Sequence, residues 1–416
     1  MKSFWKNYKS SIILILAIIL GGIVGAIMGA KAAIFKPVGD LFLNLLFMTL
    51  VPLVFFSVTS AISNMGEMKR LGKILKNIVL VFAMTAIISS IIGIIGVIIM
   101  NPTKGLNPDM FANLMQSSVE KVDTEKVGLL QQLVNTVTVS DFKDLLSKAN
   151  MLQLIIFSIL VGIATAMAGE IAKPIATFTQ AGAAVMMKLV NLIMKLAPIG
   201  LGCYFASVIG ELGPQILSGY AKVFVLYIIL AAICYAGIFT LYAYIAGGKQ
   251  GVEVFWKNAI APTVTALATC SSAASIPVNL DASKKMGVPN DIAETVIPLG
   301  ANIHKDGSVI GGVLKITFLF GLFGRDITSI SAIISIVSVS FLVGAVMGAI
   351  PGGGMMGEML ILSVYGFSPE VLPIIAVIST IIDAPATVLN STGNTVCSMM
   401  VARLVEGKEW MKTKLS

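Results

Sequence analysis

Residues 292–323 read IAETVIPLGANIHKDGSVIGGVLKITFLFGLF. The segment is long enough to cross a bilayer and apolar at both ends. Its centre, however, is three ionisable residues in a row, His304-Lys305-Asp306, and His304 is the one histidine of the chain. An ionisable side chain in the middle of a membrane helix costs roughly 2.5–3.5 kcal/mol on insertion scales. Such residues persist where they pair with each other or line a site. The triplet therefore predicts a broken membrane helix and marks the first place to look for function.

The rest of the chain has the same solvent preference. Its 416 residues are 56% hydrophobic and 12% charged, with a mean hydropathy of +0.93. This is an all-α polytopic membrane protein with lipid around it, not a soluble domain. The first apolar run, SIILILAIILGGIVGAIMGA (11–30), lacks a small-residue cleavage site and reads as a retained helix rather than a signal peptide. The net charge of +8 is not a nucleic-acid footprint. It sits before the first span (Lys2, Lys6, Lys9), between the second and third (Lys69, Arg70, Lys73, Lys76) and at the end (Lys408, Lys412, Lys414). Basic residues in alternate loops place both termini in the cytoplasm and require an even number of crossings. Cys203, Cys234, Cys270 and Cys397 all lie in apolar segments without paired spacing, so they form neither a disulfide framework nor a metal motif.

Eight spans are expected, near 11–30, 40–64, 74–100, 150–169, 178–210, 218–246, 290–323 and 370–404, with 101–149 as a polar external loop. Two further segments, 251–288 and 329–367, are apolar but too short on either side of their tips to cross. The tips read Cys270-Ser271-Ser272-Ala273-Ala274 and Pro351-Gly352-Gly353-Gly354. Both read as re-entrant hairpins, which membranes tolerate only where protein or a cavity surrounds them. The order hairpin, polar-interrupted helix, hairpin, polar-interrupted helix points to an inverted-repeat transporter with its site at the midplane.

In the last span Asp383, Thr387, Asn390 and Asn394 are spaced to share one helix face. A bound ammonium group would supply the partner that Asp383 needs in an apolar setting. Pro385 frees the carbonyl of Ile381. The tips offer the hydroxyls of Ser271 and Ser272, and amides at positive helix ends suited to a carboxylate. Together these groups describe a site for a zwitterion.

Several stretches resemble one family, in order and over nearly the whole chain: LFLNLLFMTLVPLVFFSVTSAIS (41–63), CSSAASIPVNLDASKKMGV (270–288), PLGANIHKDGS (298–308), IPGGG (350–354) and IDAPATVLNSTGN (382–394). They are similar to the dicarboxylate/amino acid:cation symporters, to which the glutamate transporters belong, and most to the bacterial serine/threonine members. The resemblance implies a homotrimer in a bacterial or archaeal cytoplasmic membrane, working as an elevator. Residues 1–68 and 101–212 would be scaffold; 69–100 and 213–416 would be the moving transport domain. It also implies substrate contacts at Ser271, Ser272, Ser308, Gly352, Gly353, Asp383, Thr387 and Asn390, and an ion site at Thr85, Gly300, His304, Lys305, Asp306, Asn390 and Asn394. Neither cofactor nor enzymatic reaction is called for.

The departures from the family's pattern set the expectations on substrate and ion. The arginine that holds an acidic side chain in the eighth helix is replaced by Ala386, and the hairpin-tip arginine and its aspartate partner by Cys270 and Ser379. An acidic substrate would leave a desolvated, unpaired charge, so a small neutral amino acid is expected. The asparagine that usually faces sodium is His304, and the aspartate opposite is Asn394; Phe82, Ala86, Gly344 and Met347 replace further ligands. Two unit charges 4 Å apart interact by about 4 kcal/mol at an effective dielectric of about 20, enough to abolish weak sodium binding. A sodium-independent carrier is therefore expected, with Lys305 as a tethered cation neutralising Asp306, and His304 or Glu358 as candidate proton carriers. Lys315 is a candidate partner for Glu358. A sodium-coupled serine/threonine symporter, an anion-conducting channel and a non-transporting sensor remain open.

Overall fold

The computed structural model describes residues 2–63, 69–105, 134, 138–147, 150–212, 215–347, 353–368, 371–408 and 410–411. Apart from turns and short 3-10 segments, these form helices. They are α1 (Lys2–Met28), α2 (Lys36–Ser63), α3 (Lys69–Met100), α4 (Phe142–Leu145), α5 (Met151–Ala168), α6 (Lys173–Ile193), α7 (Ala197–Leu212) and α8 (Gln215–Ala232). After a π-helical turn at Ile233–Ile238 come α9 (Phe239–Thr269), α10 (Ser272–Lys285), α11 (Asn290–Ile303), α12 (Asp306–Leu322), α13 (Ile330–Val346), α14 (Gly353–Tyr365) and α15 (Leu372–Glu406). Among the described residues, five stretches are long and apolar enough to cross a membrane: Leu16–Phe42, Lys73–Met100, Ile156–Met186, Ile216–Leu267 and Leu372–Glu406.

The helices gather in two sets. In the first, α1 packs along α7, and α2 packs on α5, α6 and α7. The α1–α7 contact is close because its residues are small. A Cβ added at Gly25 would strike the carbonyl of Ala206, and one at Gly210 would strike that of Gly29, a small-residue contact of the kind that holds membrane helices together without a hydrophobic driving force. In the second set α3, α8, α9, α10, α11, α12 and α14 all pack on α15. Every residue of α12 from Asp306 to Phe320 is buried, as expected of a helix that is apolar all round.

Each of the two segments expected as hairpins holds a pair of packed helices. In the first, non-helical Gly247 and Gly248 separate the outer part of α9 from the arm that ends at Thr269. Cys270 then adopts a left-handed conformation (φ 46°), and Ser271 caps α10 by accepting the amide of Ala274 at 3.2 Å. With 14 residues, α10 is about 21 Å long, short of a ~30 Å bilayer core. In the second hairpin α13 packs on α14. Its tip, with Gly352, lies outside the described residues, and Gly353 is described only as the first residue of α14. Arg325 ties the outer ends of this pair, donating to the carbonyl of Tyr365 at 2.9 Å and resting 4.3 Å above the ring of Phe367. Beside it Asp326 accepts from Thr328 and Ser329, and those bonds hold its carboxyl below the usual carboxylate range.

Two expectations need correction. The span at 178–210 is two helices, α6 and α7, joined by a 3-10 turn at Met194–Leu196. Pro198 lies at the second position of α7, where a missing amide hydrogen is tolerated. The eighth span is not interrupted: α15 runs unbroken through Pro385. The loop at 101–149 lies mostly outside the described residues, apart from α4 with its Asp141 cap.

Candidate functional site

The site is built on the break between α11 and α12. His304, extended (φ −118°, ψ 112°), ends α11, and Lys305, neither helical nor fully extended (φ −146°, ψ 73°), precedes α12. The break sends the side chains apart: His304 and Asp306 lie together on one side, and Lys305 reaches Ser272 on the other. The helix dipoles agree with this placement, since Asp306 opens α12 and the ring of His304 closes α11.

On the first side the imidazole is fully engaged. Its Nδ1 lies 2.8 Å from Oδ1 of Asn394, an oxygen that can only accept, so Nδ1 carries the hydrogen. Its Nε2 lies 2.7 Å from the Thr85 hydroxyl and 3.3 Å from Oδ1 of Asp306. That carboxylate oxygen makes no directed hydrogen bond, and the ring nitrogen is aimed at Thr85. Phe82 stacks on the ring, with centroids 4.3 Å apart and planes at 22°, and Cys397 lies 3.8 Å from Nε2. A Cβ added at Gly300 would strike the amide of Asn394, so glycine is what lets α11 approach α15 here. A cavity of about 110 Å³ beside the ring is lined by Phe82, Ala86, His304, Lys305, Phe341 and Gly344.

Lys305 goes elsewhere. It is 6% exposed, and its ammonium makes one long contact, 3.5 Å to the hydroxyl of Ser272 at the start of α10. The expectation that Lys305 neutralises Asp306 fails on geometry: its ammonium reaches Ser272, and the side chain beside Asp306 is that of His304. A cation against a helix N-terminus is unfavourable by about 0.3–1 kcal/mol. Asp383, exposed on α15, lies within electrostatic reach of both Lys305 and Lys315.

The other expected residues divide. Ser308 and Asn390 lock α12 to α15: Oδ1 of Asn390 accepts the Ser308 amide at 3.1 Å, and its Nδ2 donates to the Ser308 hydroxyl at 3.0 Å. Thr387 is buried on the face of α15 that carries Asn390, and Ser271 is spent on its cap. Lys315 and Glu358 do meet, at 3.5 Å and both buried. Ser379 stands between them, accepting from Lys315 at 2.8 Å and donating to Glu358. Sequence reasoning passed over Phe82 as a stacking plate and Cys397 as a neighbour of the ring. It also passed over Tyr227, which donates to the carbonyl of Gly307 at 2.8 Å, and Asn279, which donates to Ser391. Asn279, a lone amide in a hairpin arm, was the available signal.

A model of the sodium:dicarboxylate symporter family matches residues 11–404. The chain belongs to the sodium:dicarboxylate symporter family. Members of this family are transporters, so the broken helix and the hairpin tip belong to a secondary transporter of the membrane and not to an enzyme. The chain is 29% identical over 398 residues to the proton/sodium-glutamate symport protein of Bacillus caldotenax, covering 93% of this chain and 92% of that one. It is 28% identical over 435 residues to the C4-dicarboxylate transport protein of Bacillus subtilis, covering 99% and 100%. It is 25% identical over 407 residues to the proton/glutamate-aspartate symporter of the same organism, covering 96% of each.

Proposed function

We propose that this symporter-family chain carries a small neutral amino acid across the cytoplasmic membrane without sodium. One observation carries the reading. The oxygens that could gather around a hard cation, those of Thr85, Asn394 and Asp306, converge on the imidazole of His304 instead. Sodium needs oxygen ligands free to turn toward it, and the adjacent cavity walls offer Phe82, Ala86 and Gly344. Its relatives are named for glutamate and C4-dicarboxylates. Here the site pairs one cation, Lys305, with one anion, Asp383, and Ala386 stands where an arginine would meet an acidic side chain. That balance favours a zwitterion.

The two helix sets support an elevator, in which α3 and α8–α15 move against α1, α2 and α5–α7. Homotrimeric assembly belongs to the same reading. The protein reconstituted into liposomes should take up labelled L-serine or L-alanine with sodium replaced by choline, and unlabelled amino acid inside should accelerate entry. Strict sodium dependence would overturn the coupling, entry without counterflow would make the protein a channel, and uptake of glutamate or succinate alone would overturn the substrate.

A further inference from the structure

We propose that Lys305 is the anchor for the substrate's carboxylate, and so a residue that sets substrate specificity. The inference deepens the carrier reading and rests on it. Two positive features meet at one point. By helix geometry the first amides of α10 have no acceptor within the helix; the Ser271 hydroxyl caps that of Ala274, which leaves those of Ser272 and Ala273. The Lys305 ammonium sits 3.5 Å from the Ser272 hydroxyl, and among the described residues no carboxylate lies within ion-pairing distance of it. A buried ammonium held by one long hydrogen bond, beside a positive helix end, is a pair of donors facing the same missing anion. The other buried lysine of the same helix region shows what satisfaction looks like: Lys315 has both Glu358 and Ser379.

A carboxylate seated between Lys305 and the start of α10 accepts from the ammonium, from the Ser272 hydroxyl and from the free amides. Asp383 remains for a group of opposite charge on the same ligand. The non-helical backbone at 304–305 lets Lys305 reach Ser272 while His304 and Asp306 lie beside each other. The site therefore selects first for a carboxylate, and only then, through Asp383, for an ammonium.

The test is calorimetric titration of the full-length protein in detergent with L-serine and with L-serinamide, which keeps the ammonium and lacks the carboxylate. Wild type should bind L-serine at least 100-fold more tightly than the amide. Lys305→Met should weaken L-serine at least tenfold and leave the amide within twofold, so that the preference collapses; Lys305→Arg should retain most of it. A merely structural lysine would shift both ligands together, and that result, or an unchanged preference, overturns the proposal. If Lys305→Met does not fold, Lys305→Gln, which keeps a polar head near Ser272, gives the same comparison. If wild type binds L-glutamate and no neutral amino acid, the zwitterion reading falls while Lys305 is judged by L-glutamate against its α-amide. Binding of no carboxylate in the panel overturns both.

Discussion

Lys305 and Lys315 stand ten positions apart around one buried helix, and their surroundings are opposite. Lys315 lies in a closed cluster with Glu358 and Ser379 that joins α12, α14 and α15. Lys305 faces a helix N-terminus with one long hydrogen bond. A buried charge that has its partners is structure; one that lacks them is an opening for a ligand. The difference teaches that burial alone does not sort membrane lysines by role, whereas their partners do.

The comparison can be broken most forcefully at the closed cluster. Lys315→Met alone strands Glu358 in the interior and should destabilise the folded protein by about 3–5 kcal/mol, read from unfolding titrations in detergent. Lys315→Met with Glu358→Met should recover most of that loss, because a well-packed apolar replacement of a buried pair is often neutral. Next in size is His304→Ala, which leaves Thr85, Asn394 and Asp306 without their shared partner and should cost about 2–3 kcal/mol. Sodium should not rescue it, since Phe82 and Ala86 supply no oxygen; a sodium-dependent rise in melting temperature would contradict that. Gly300→Ala should cost about 1–3 kcal/mol through its clash with Asn394. Smallest is Lys305→Met without ligand, at under about 1 kcal/mol or a gain, since it removes a poorly satisfied ammonium. A loss as large as that of Lys315→Met would erase the contrast between the two lysines.

Much of this arrangement was legible in the chain. Ionisable residues inside an apolar run announced the break at 304–305, and Cys270-Ser271-Ser272 between short apolar arms announced the first hairpin. The Lys315–Glu358 pair followed from two membrane charges needing company. The division between α6 and α7 had a signal in Pro198, overlooked because hydropathy continues across it. The uninterrupted α15 runs against the ordinary reading of a proline inside a helix. The partner of Asp306 was misread because Lys305 was taken as a stand-in for a missing cation, whereas the non-helical backbone of two residues turns it toward Ser272.

The two-residue break at 304–305 has a consequence for how such proteins are compared. Exchanging the neighbours, His304→Lys together with Lys305→His, would leave the length, composition, net charge and hydropathy profile of the chain untouched. It would nonetheless turn the break inside out, setting an ammonium against Asn394 and Asp306 and an imidazole against the start of α10. Two chains alike by every averaged measure would then present different chemistry on each side of the same helix, and only the order of a dipeptide would tell them apart.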